Sequence, residues 1–394
     1  FILSLLGNPV FPAVILSALM LSGWKKLIIF GRPFGGILFS LYFCDWYGLP
    51  LDSHARPLTP NTMKTRFFFL LLTLCLTTGM LAQRQNIIFE TDMGNDVDDA
   101  LAIDMLYKYD RQKRINLMAV MLNKEGRFPA MYIDLLNTWY GCKHTPIGVT
   151  GRREQSIVAG NNFTQVVVEK KNDKGQPLYK RSLRDYDKLP PAPELYRKLL
   201  AKAKDRSVTI VSVGFSTNLA LLLDSKPDKY SPLSGSELVA RKVDRLVVMA
   251  GHMEDANYRE YNVVNDVASC QKVFRQWPTP IYTSPFEVGL QIKYPARSIE
   301  NDFGWAVHHP IVDSYKVYLP KIEDRPTWDL TAVLYAIDPQ DFFGTSVPGQ
   351  ISITDDGCTR FAPKADGTHH YLSVTPEQAD HIRDYFVEMI TAKP

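Results

Sequence analysis

The chain has 394 residues, of which 45% are hydrophobic and 22% are charged, and its formal net charge is +3. This composition is that of an ordinary globular protein, and the length is enough for two average domains or one large α/β domain. The near balance of basic and acidic residues argues against a nucleic-acid partner, which would require a strongly basic patch.

The first 82 residues differ from the rest because they are strongly apolar. Residues 1–62 begin with Phe1 and contain two apolar runs that are long enough to cross a membrane, although prolines and glycines interrupt them. We expect these residues to be upstream sequence translated in frame. The alternative that the sequence leaves open is a membrane anchor.

A better start lies at Met63, where a short charged segment precedes an apolar run. This pattern predicts a secretory signal peptide at residues 63–82, with cleavage after Ala82. Residues 83–394 would then be exported to a periplasm or secreted, with no stable membrane association expected.

Residues 83–394 carry 39 basic and 40 acidic side chains and only three cysteines. The cysteines are Cys142, Cys270 and Cys358. An odd number at wide spacing is neither a disulfide framework nor a zinc site. We expect three structural thiols, and the sequence leaves open one disulfide with a spare thiol.

Strand-like and helix-like segments alternate after this point. The first predicted strand starts at Asn86, and the others cover residues 117–122, 146–149, 208–213, 243–250, 281–283 and 349–354. The predicted helices cover residues 129–142, 194–204, 217–223, 267–277, 310–319 and 329–337, and a capping box at Thr375 starts the last one. Residues 160–177 are polar and are expected to be a loop.

This alternation predicts right-handed βαβ units in one domain, with an open, mostly parallel, Rossmann-like α/β sheet flanked by helices. Ligands of such sheets bind outside the carboxyl ends of the strands. Polar and aromatic residues that follow the predicted strands, or that stand at the start of the predicted helix at 329–337, are therefore candidates for one site. They are Asn123, Thr217, His252, Glu260, Asn262, Trp328 and Asp329.

The first predicted strand ends in a loop that carries four aspartates: Asp92, Asp96, Asp98 and Asp99. Repulsion among carboxylates so close together is relieved by a hard cation, because Ca²⁺ and Mg²⁺ gather oxygen ligands. The start of the following helix also favours negative charge. The alternative is a helix cap inside a solvated acidic loop, and we favour the metal site.

These blocks and their order resemble the inosine-uridine nucleoside hydrolase family. The matching segments are Asp92 to Asp99, Asn123, Gly214 to Asn218, Met249 to Gly251, Glu260 to Asn262 with Asn265 and Asp266, and Trp328 to Ala332. The resemblance runs from Asn86 to at least Pro339. It implies the α/β open sheet, a tightly bound Ca²⁺ and a homo-oligomer, since the family often forms dimers or tetramers.

The resemblance also implies roles for individual residues. The implied calcium ligands are Asp92, Asp99, the backbone carbonyl of Thr217, and Asp329. The implied contacts to ribose hydroxyls are Asp98, Asn123, Glu260 and Asn262. Asp92 would act as general base on a calcium-activated water, so that the N-glycosidic bond of a ribonucleoside is hydrolysed to free base and ribose.

Two departures from the family pattern bear on this prediction. The acidic loop is two residues longer than usual, so Asp96 rather than Asp98 could hold the ribose or join the metal. Trp328 stands where many members carry a histidine acid, which resembles the purine-preferring branch that stacks the base on aromatic rings. We expect purine nucleosides to be favoured, with Phe163 as the opposing ring. His252 is either a second candidate acid or a structural histidine.

Rival functions of three kinds remain: another riboside protein of the same fold, a phosphohydrolase and a membrane protein. A non-catalytic protein that binds calcium and a riboside, or a hydrolase of a different riboside, would share the same fold. A magnesium phosphohydrolase would need a nucleophilic aspartate at position 90, where Glu90 stands. A membrane protein organised by residues 1–47 is the third.

Overall fold

The computed structural model describes residues 84–150, 161–319, 321–339 and 342–394. The predicted upstream segment at 1–62 and the predicted signal peptide at 63–82 lie outside these residues and stay predictions. No helix in the described ranges is long and apolar enough to cross a membrane.

Short and long strands together provide the framework of the described residues. They are β1 (Gln85–Thr91), β2 (Ile115–Leu122), β3 (Ile147–Gly148), β4 (Val208–Ser212), β5 (Val243–Met249), β6 (Ile281–Ser284), β7 (Lys293–Tyr294), β8 (Arg325–Pro326), β9 (Gly344–Thr345), β10 (Gly349–Ile353), β11 (Thr359–Pro363) and β12 (His369–Ser373).

Helices connect these strands and cover both faces of the sheet. They are α1 (Asp98–Arg111), α2 (Arg127–Trp139), α3 (Phe163–Glu169), α4 (Ala192–Lys202), α5 (Thr217–Asp224), α6 (Gly235–Lys242), α7 (Tyr261–Val264), α8 (Val267–Gln276), α9 (Phe286–Gln291), α10 (Ala296–Asn301), α11 (Pro310–Tyr318), α12 (Trp328–Ile337) and α13 (Pro376–Thr391).

The main sheet has the strand order β11-β10-β12-β6-β5-β4-β1-β2-β3, with β9 paired to β12. The strands from β12 to β3 run parallel, whereas β9, β10 and β11 pair antiparallel at one side. The predicted open, mostly parallel sheet is confirmed. Because β1 lies between β2 and β4, the acidic loop after β1 is at the middle of the sheet edge where ligands of such folds bind.

Two hydrophobic cores lie on opposite faces of this sheet, because successive side chains of a strand point to opposite faces. On β1, Ile87 and Phe89 pack in the core that includes α1, α2, α12 and α13. Ile88 between them packs in the core that includes α4, α5, α6 and α8. Both faces of β1 are therefore buried, which is typical of a central parallel strand.

Most predicted elements are present within a few residues of their predicted ends. The last helix begins as predicted, because the Thr375 side chain accepts from the backbone of Gln378 and the Gln378 side chain accepts from the backbone of Thr375. Among the described residues, Cys142, Cys270 and Cys358 are free thiols, as the sequence predicted.

The prediction of a polar loop at residues 160–177 was wrong for residues 163–169, whereas residues 170–177 are irregular as predicted. Part of this stretch forms helix α3, in which Phe163, Thr164, Val167 and Val168 are buried. Seven residues are too few for a helical period to stand out from sequence. The buried face of α3 is defined only by its packing against α2 and α11, which the local sequence does not specify.

A buried ion pair fixes α1, the helix that begins with the acidic loop's last two aspartates. Lys108 Nζ lies 2.8 Å from Asp104 Oδ2, and both side chains are almost fully buried. Lys108 also donates to the Ile390 carbonyl in α13, and Asp104 accepts from the Tyr140 hydroxyl. The pair therefore ties α1 to two other parts of the fold.

We predict that Lys108→Met lowers the free energy of unfolding by about 3–5 kcal/mol, because it leaves the Asp104 carboxylate buried without its cation. The control is Lys188→Met, since the Lys188 side chain is 84% exposed in its pair with Asp185. Lys188→Met should lower the free energy of unfolding by less than about 1 kcal/mol. Urea unfolding measures both, and equal losses would contradict the prediction.

Candidate active site

The acidic segment from Asp92 to Asp99, which ends in the first turn of α1, is largely buried although it carries four aspartates. The exposed fractions of Asp92, Asp98 and Asp99 are 4%, 1% and 1%. Gly94 allows the loop to turn, because its φ is +102° and an added Cβ would touch Thr164. No side chain caps α1. The alternative of a solvated loop with a helix cap is therefore wrong.

Hydrogen bonds join this loop to the start of α12. Asp98 Oδ2 accepts from the backbone N–H of Asp329 at 3.1 Å. Asp99 Oδ1 accepts from the Thr91 hydroxyl at the end of β1. Asp329 is itself 5% exposed, so four carboxylates from two distant segments are buried together.

Asp92 is held from another side. Its Oδ2 accepts from the side-chain amide of Asn95 at 2.5 Å, and Asn95 Oδ1 accepts from Lys124 Nζ at 2.6 Å. Lys124 is 6% exposed, so its charge acts from inside the protein. Sequence reasoning missed Lys124 and Asn95, and the only signal for Lys124 was its position directly after Asn123.

Burial and the repulsion between neighbouring charges raise the pKa of these carboxylates. Burial raises the pKa of Asp92 to about 6. Burial also raises the pKa of Asp98, Asp99 and Asp329 well above the usual range, and the charges of the neighbouring aspartates raise it further. A cation between the carboxylates would remove this repulsion.

The donor chemistry of the cluster fits a hard cation. Asp92, Asp99 and Asp329 supply buried carboxylate oxygens, which are the ligands that Ca²⁺ and Mg²⁺ prefer. Thr217 opens α5 after a loop packed on Asp92, since an added Cβ at Gly214 would lie 2.8 Å from Asp92 Cβ. Among the described residues, no three acidic, histidine or cysteine side chains already meet the geometry of a metal site.

Asn123 lies where the sequence predicted it, at the end of β2 beside the acidic loop. Its Nδ2 donates to Glu90 Oε1 at 3.2 Å and to the Phe215 carbonyl at 2.9 Å. Its Oδ1 is buried and accepts no hydrogen bond from the described residues. That oxygen is free to accept from a ligand hydroxyl. Glu90, which also accepts from Tyr196 at 2.6 Å, serves to orient this amide.

Glu260 and Asn262 lie at the same sheet edge. Glu260 Oε2 accepts from the backbone N–H of Gly251 at 3.0 Å, and Oε1 accepts from that of Asn262 at 2.8 Å. Asn262 Nδ2 donates to the carbonyl of Val213, directly after β4, at 3.1 Å and to that of Met249, the last residue of β5, at 3.2 Å. Burial raises the pKa of Glu260 to about 7, and the charge of the nearby Asp92 adds to this.

Trp328 begins α12 next to Asp329 and belongs to a group of rings. Its indole Nε1 donates to the Phe286 carbonyl at 3.0 Å, and the two rings stack with centroids 5.2 Å apart. The rings of Tyr258 and His252 lie 4.7 and 5.7 Å from that of Phe286. We call these four residues the aromatic cluster.

The expectation that Phe163 opposes Trp328 was wrong. Phe163 is fully buried in α3, where its ring contacts those of Tyr132 and Tyr318 edge-on. The ring that stacks on Trp328 is Phe286. Phe163 is a core residue because the sequence stretch around it folds into a helix rather than a loop.

Asp96 and Asp98 have different contacts in the structure, a difference that the sequence alone did not predict. Asp96 forms an ion pair with Arg325, whose Nε lies 3.2 Å from Asp96 Oδ1 and whose Nη2 contacts Oδ2. Asp98 instead faces the backbone of Asp329. Arg325 was not predicted from sequence, because 229 residues separate it from Asp96.

His252 is hydrogen-bonded within its own loop. Its Nδ1 accepts from the backbone N–H of Asp255 at 2.9 Å and lies 3.5 Å from Glu287 Oε2. These contacts agree with a structural histidine that supports the aromatic cluster.

The fold and the site together define an α/β protein with a buried acidic site at the carboxyl ends of its parallel strands. A family model described as inosine-uridine preferring nucleoside hydrolase matches residues 87–378. The chain therefore belongs to this family, whose members are enzymes that hydrolyse N-glycosidic bonds.

Sequence relatives match over shorter regions. The pyrimidine-specific ribonucleoside hydrolase RihA of Salmonella paratyphi B is 26% identical over 178 residues, which are 42% of this chain and 53% of that protein. The protein of the same name from Enterobacter sp. (strain 638) is 33% identical over 114 residues, which are 28% of this chain and 31% of that one. The matches span about half the length of these curated relatives or less.

Solved structures match over most of their length. A purine-preferring ribonucleoside hydrolase from Gardnerella vaginalis has a TM-score of 0.59 at 15% identity, covering 78% of this chain and 98% of that one. The plant nucleoside hydrolase PpNRh1 has a TM-score of 0.58 at 18% identity, covering 78% and 99%. At this identity the likeness shows the fold alone.

A close approach between α9 and α12 generates a prediction about Trp328. An added Cβ at Gly289 would lie 2.4 Å from Trp328 Cδ1 and 2.5 Å from its Cα. We expect Gly289→Ala to displace Trp328, to cost about 1–3 kcal/mol of stability and to lower any turnover that uses the aromatic cluster. The control is Gly304→Ala, where no atom lies within 4 Å of the added Cβ. Thermal unfolding and activity are measured on both variants. Both should fall in Gly289→Ala and stay unchanged in Gly304→Ala.

Proposed function

We propose that this chain hydrolyses the N-glycosidic bond of ribonucleosides to free base and ribose, with purine nucleosides favoured. The observation that carries the proposal is the buried cluster of Asp92, Asp98, Asp99 and Asp329 beside the free Oδ1 of Asn123. Such a cluster suits both a hard cation and the hydroxyl groups of a sugar. Membership of a nucleoside hydrolase family supports it.

The cofactor that we propose is Ca²⁺. The residues that would hold it are Asp92, Asp99, Asp329 and the backbone carbonyl of Thr217. When bound, the cation supplies a positive charge that makes an attacking water easier to deprotonate.

The chain's own residues perform the remaining work. Asp92 acts as general base, and its contact with Asn95 holds the carboxylate in a fixed orientation. The ribose hydroxyls bind to Asp98, Asn123, Glu260 and Asn262. As the bond to the base breaks, positive charge develops on the sugar, and the nearby carboxylates stabilise it.

The preference for purines rests on the aromatic cluster. Trp328 lies directly beside Asp329 and is supported by Phe286, so the rim of the site offers a flat apolar surface. A two-ring base has more surface to place against it than a one-ring base, and aromatic stacking contributes about 0.5–1.5 kcal/mol beyond burial. Assembly of the chain into a homo-oligomer stays a prediction.

Release of ribose from inosine, guanosine, adenosine and uridine tests the proposal. We expect turnover that is faster for the three purine nucleosides than for uridine, that stops with a calcium chelator and that returns with added Ca²⁺. Faster turnover of uridine would overturn the purine preference. No turnover of any nucleoside by calcium-loaded protein would overturn hydrolysis and indicate a riboside-binding protein.

Substitution of the general base gives a second test. We expect Asp92→Asn to lower kcat by about 10²–10⁴-fold, the usual contribution of general base catalysis. Asp173→Asn is the control, because Asp173 is exposed in a surface turn. Calcium binding, measured by calorimetry on the same samples, separates loss of the base from loss of the metal.

A further inference from the structure

The two departures from the family pattern meet at one side chain. The longer acidic loop contributes Asp96, and α12 begins with Trp328 in place of the usual histidine acid. Arg325 contacts both, because it pairs with Asp96 and its guanidinium carbon lies 5.4 Å from the centre of the Trp328 ring. The guanidinium therefore lies over the Trp328 ring, at the proposed base-binding surface.

We propose that Arg325 is a catalytic residue that hydrogen-bonds to the leaving base and stabilises its negative charge. Asp96 is a positioning residue that holds the guanidinium in place. This inference rests on the proposed hydrolysis of a ribonucleoside.

The hydrogen bonds of Arg325 leave part of the guanidinium available. Nε–H and Nη2–H donate to Asp96, and Nη2 also donates to the Tyr318 hydroxyl at 3.2 Å. Nη1 donates to no group among the described residues, so its two N–H groups are free for a ligand. The Arg325 and Asp96 side chains are 21% and 25% exposed, so the pair is partly open rather than sealed in the core.

Asp96 and Tyr318 fix the direction in which the free edge points. A carboxylate that contacts two guanidinium nitrogens fixes its plane as well as its position. The Tyr318 ring lies 5.3 Å from the guanidinium carbon and restricts it further. Arginine held in this way loses little freedom when it binds a ligand.

The chemistry of the leaving group explains the need for a cation. When the C–N bond breaks, its electron pair stays on the base nitrogen, and the water oxygen forms the new bond to the sugar carbon. The proton of that water goes to Asp92, and the base later takes a proton from solvent. Arg325 keeps all its protons, because guanidinium does not deprotonate in proteins, and it acts through hydrogen bonds and charge.

Two other nearby residues are less suited to this role. Lys124 donates to Asn95 on the Asp92 side of the site and is almost fully buried. His252 is separated from Trp328 by the Phe286 ring, and its Nδ1 is engaged by the backbone of Asp255. Of the described residues, Arg325 is the one whose cationic group lies over the Trp328 ring itself.

The test compares two substrates that differ in how much help their leaving group needs. The base of inosine leaves as a poor anion, whereas 4-nitrophenyl riboside releases a phenolate that is stable without assistance. We expect Arg325→Met to lower kcat for inosine by about 10²–10³-fold, the usual effect of removing one charge-stabilising donor. The loss for 4-nitrophenyl riboside should stay below about tenfold, because its transition state needs little of that stabilisation.

Two further variants sharpen the comparison. Arg325→Lys keeps the charge but loses the planar fork, so it should recover part of the inosine activity. Arg241→Met is the matched control, since Arg241 pairs with Asp205 and is 60% exposed. It should leave the ratio of the two activities unchanged. Both activities are measured on the same sample of each variant. A lower fraction of folded protein therefore lowers both activities equally and leaves their ratio unchanged.

The positioning role of Asp96 has its own readout. Asp96→Asn should lower kcat for inosine by about tenfold or more with little change in KM, and Asp96→Glu should restore part of it. Asp96→Asn should shift the ratio of the inosine activity to the 4-nitrophenyl riboside activity in the same direction as Arg325→Met.

The outcomes separate this inference from the proposed function. Turnover of neither substrate by the unmodified protein would overturn the proposed hydrolysis and the inference with it. Turnover of both, with equal losses in Arg325→Met, would leave hydrolysis intact. It would show that Arg325 supports the acidic loop rather than the leaving base.

Discussion

The burial of four like charges is the constraint on which the rest of this structure depends. Asp92, Asp98, Asp99 and Asp329 lie together at the edge of the sheet and are almost inaccessible to water. The penalty for burying each uncompensated ion is several kcal/mol, while a domain is stable by only about 5–15 kcal/mol in total. The carboxylates must therefore share protons, cations or hydrogen-bond donors, and a cation that binds only the folded state would stabilise it.

The parallel sheet places these carboxylates close together. Strand β1 lies between β2 and β4, so the loop after it meets the residues that follow both neighbours. Lys124 and Asn95 contact the cluster from one side, and Arg325 contacts Asp96 on the other. In the proposed reaction these two sides have different tasks, because water is deprotonated at Asp92 while the base departs beside Trp328.

Much of the site was predictable because its residues share a simple pattern. Acidic, amide or aromatic residues follow apolar runs, and parallel strands place all such positions at one edge. The sequence did not predict Arg325, which lies in β8 outside the main sheet. Phe286 does follow β6 at that edge, but no local pattern pairs it with Trp328. Phe163 was wrongly predicted to face Trp328, because a seven-residue helix is too short for its period to be recognised in the sequence. The Phe163 ring is buried only through tertiary packing.

The sequence by itself determined the alternation of elements, the parallel sheet, the acidic loop and the family to which the chain belongs. These depend on local periodicity, capping and the order of short motifs, which are visible within a few residues. Only the tertiary structure decided that Asp96 pairs with Arg325 while Asp98 faces Asp329, and that Phe286 supports Trp328. The reason is physical: such contacts depend on distances in space between residues far apart in the chain, and no local pattern encodes them.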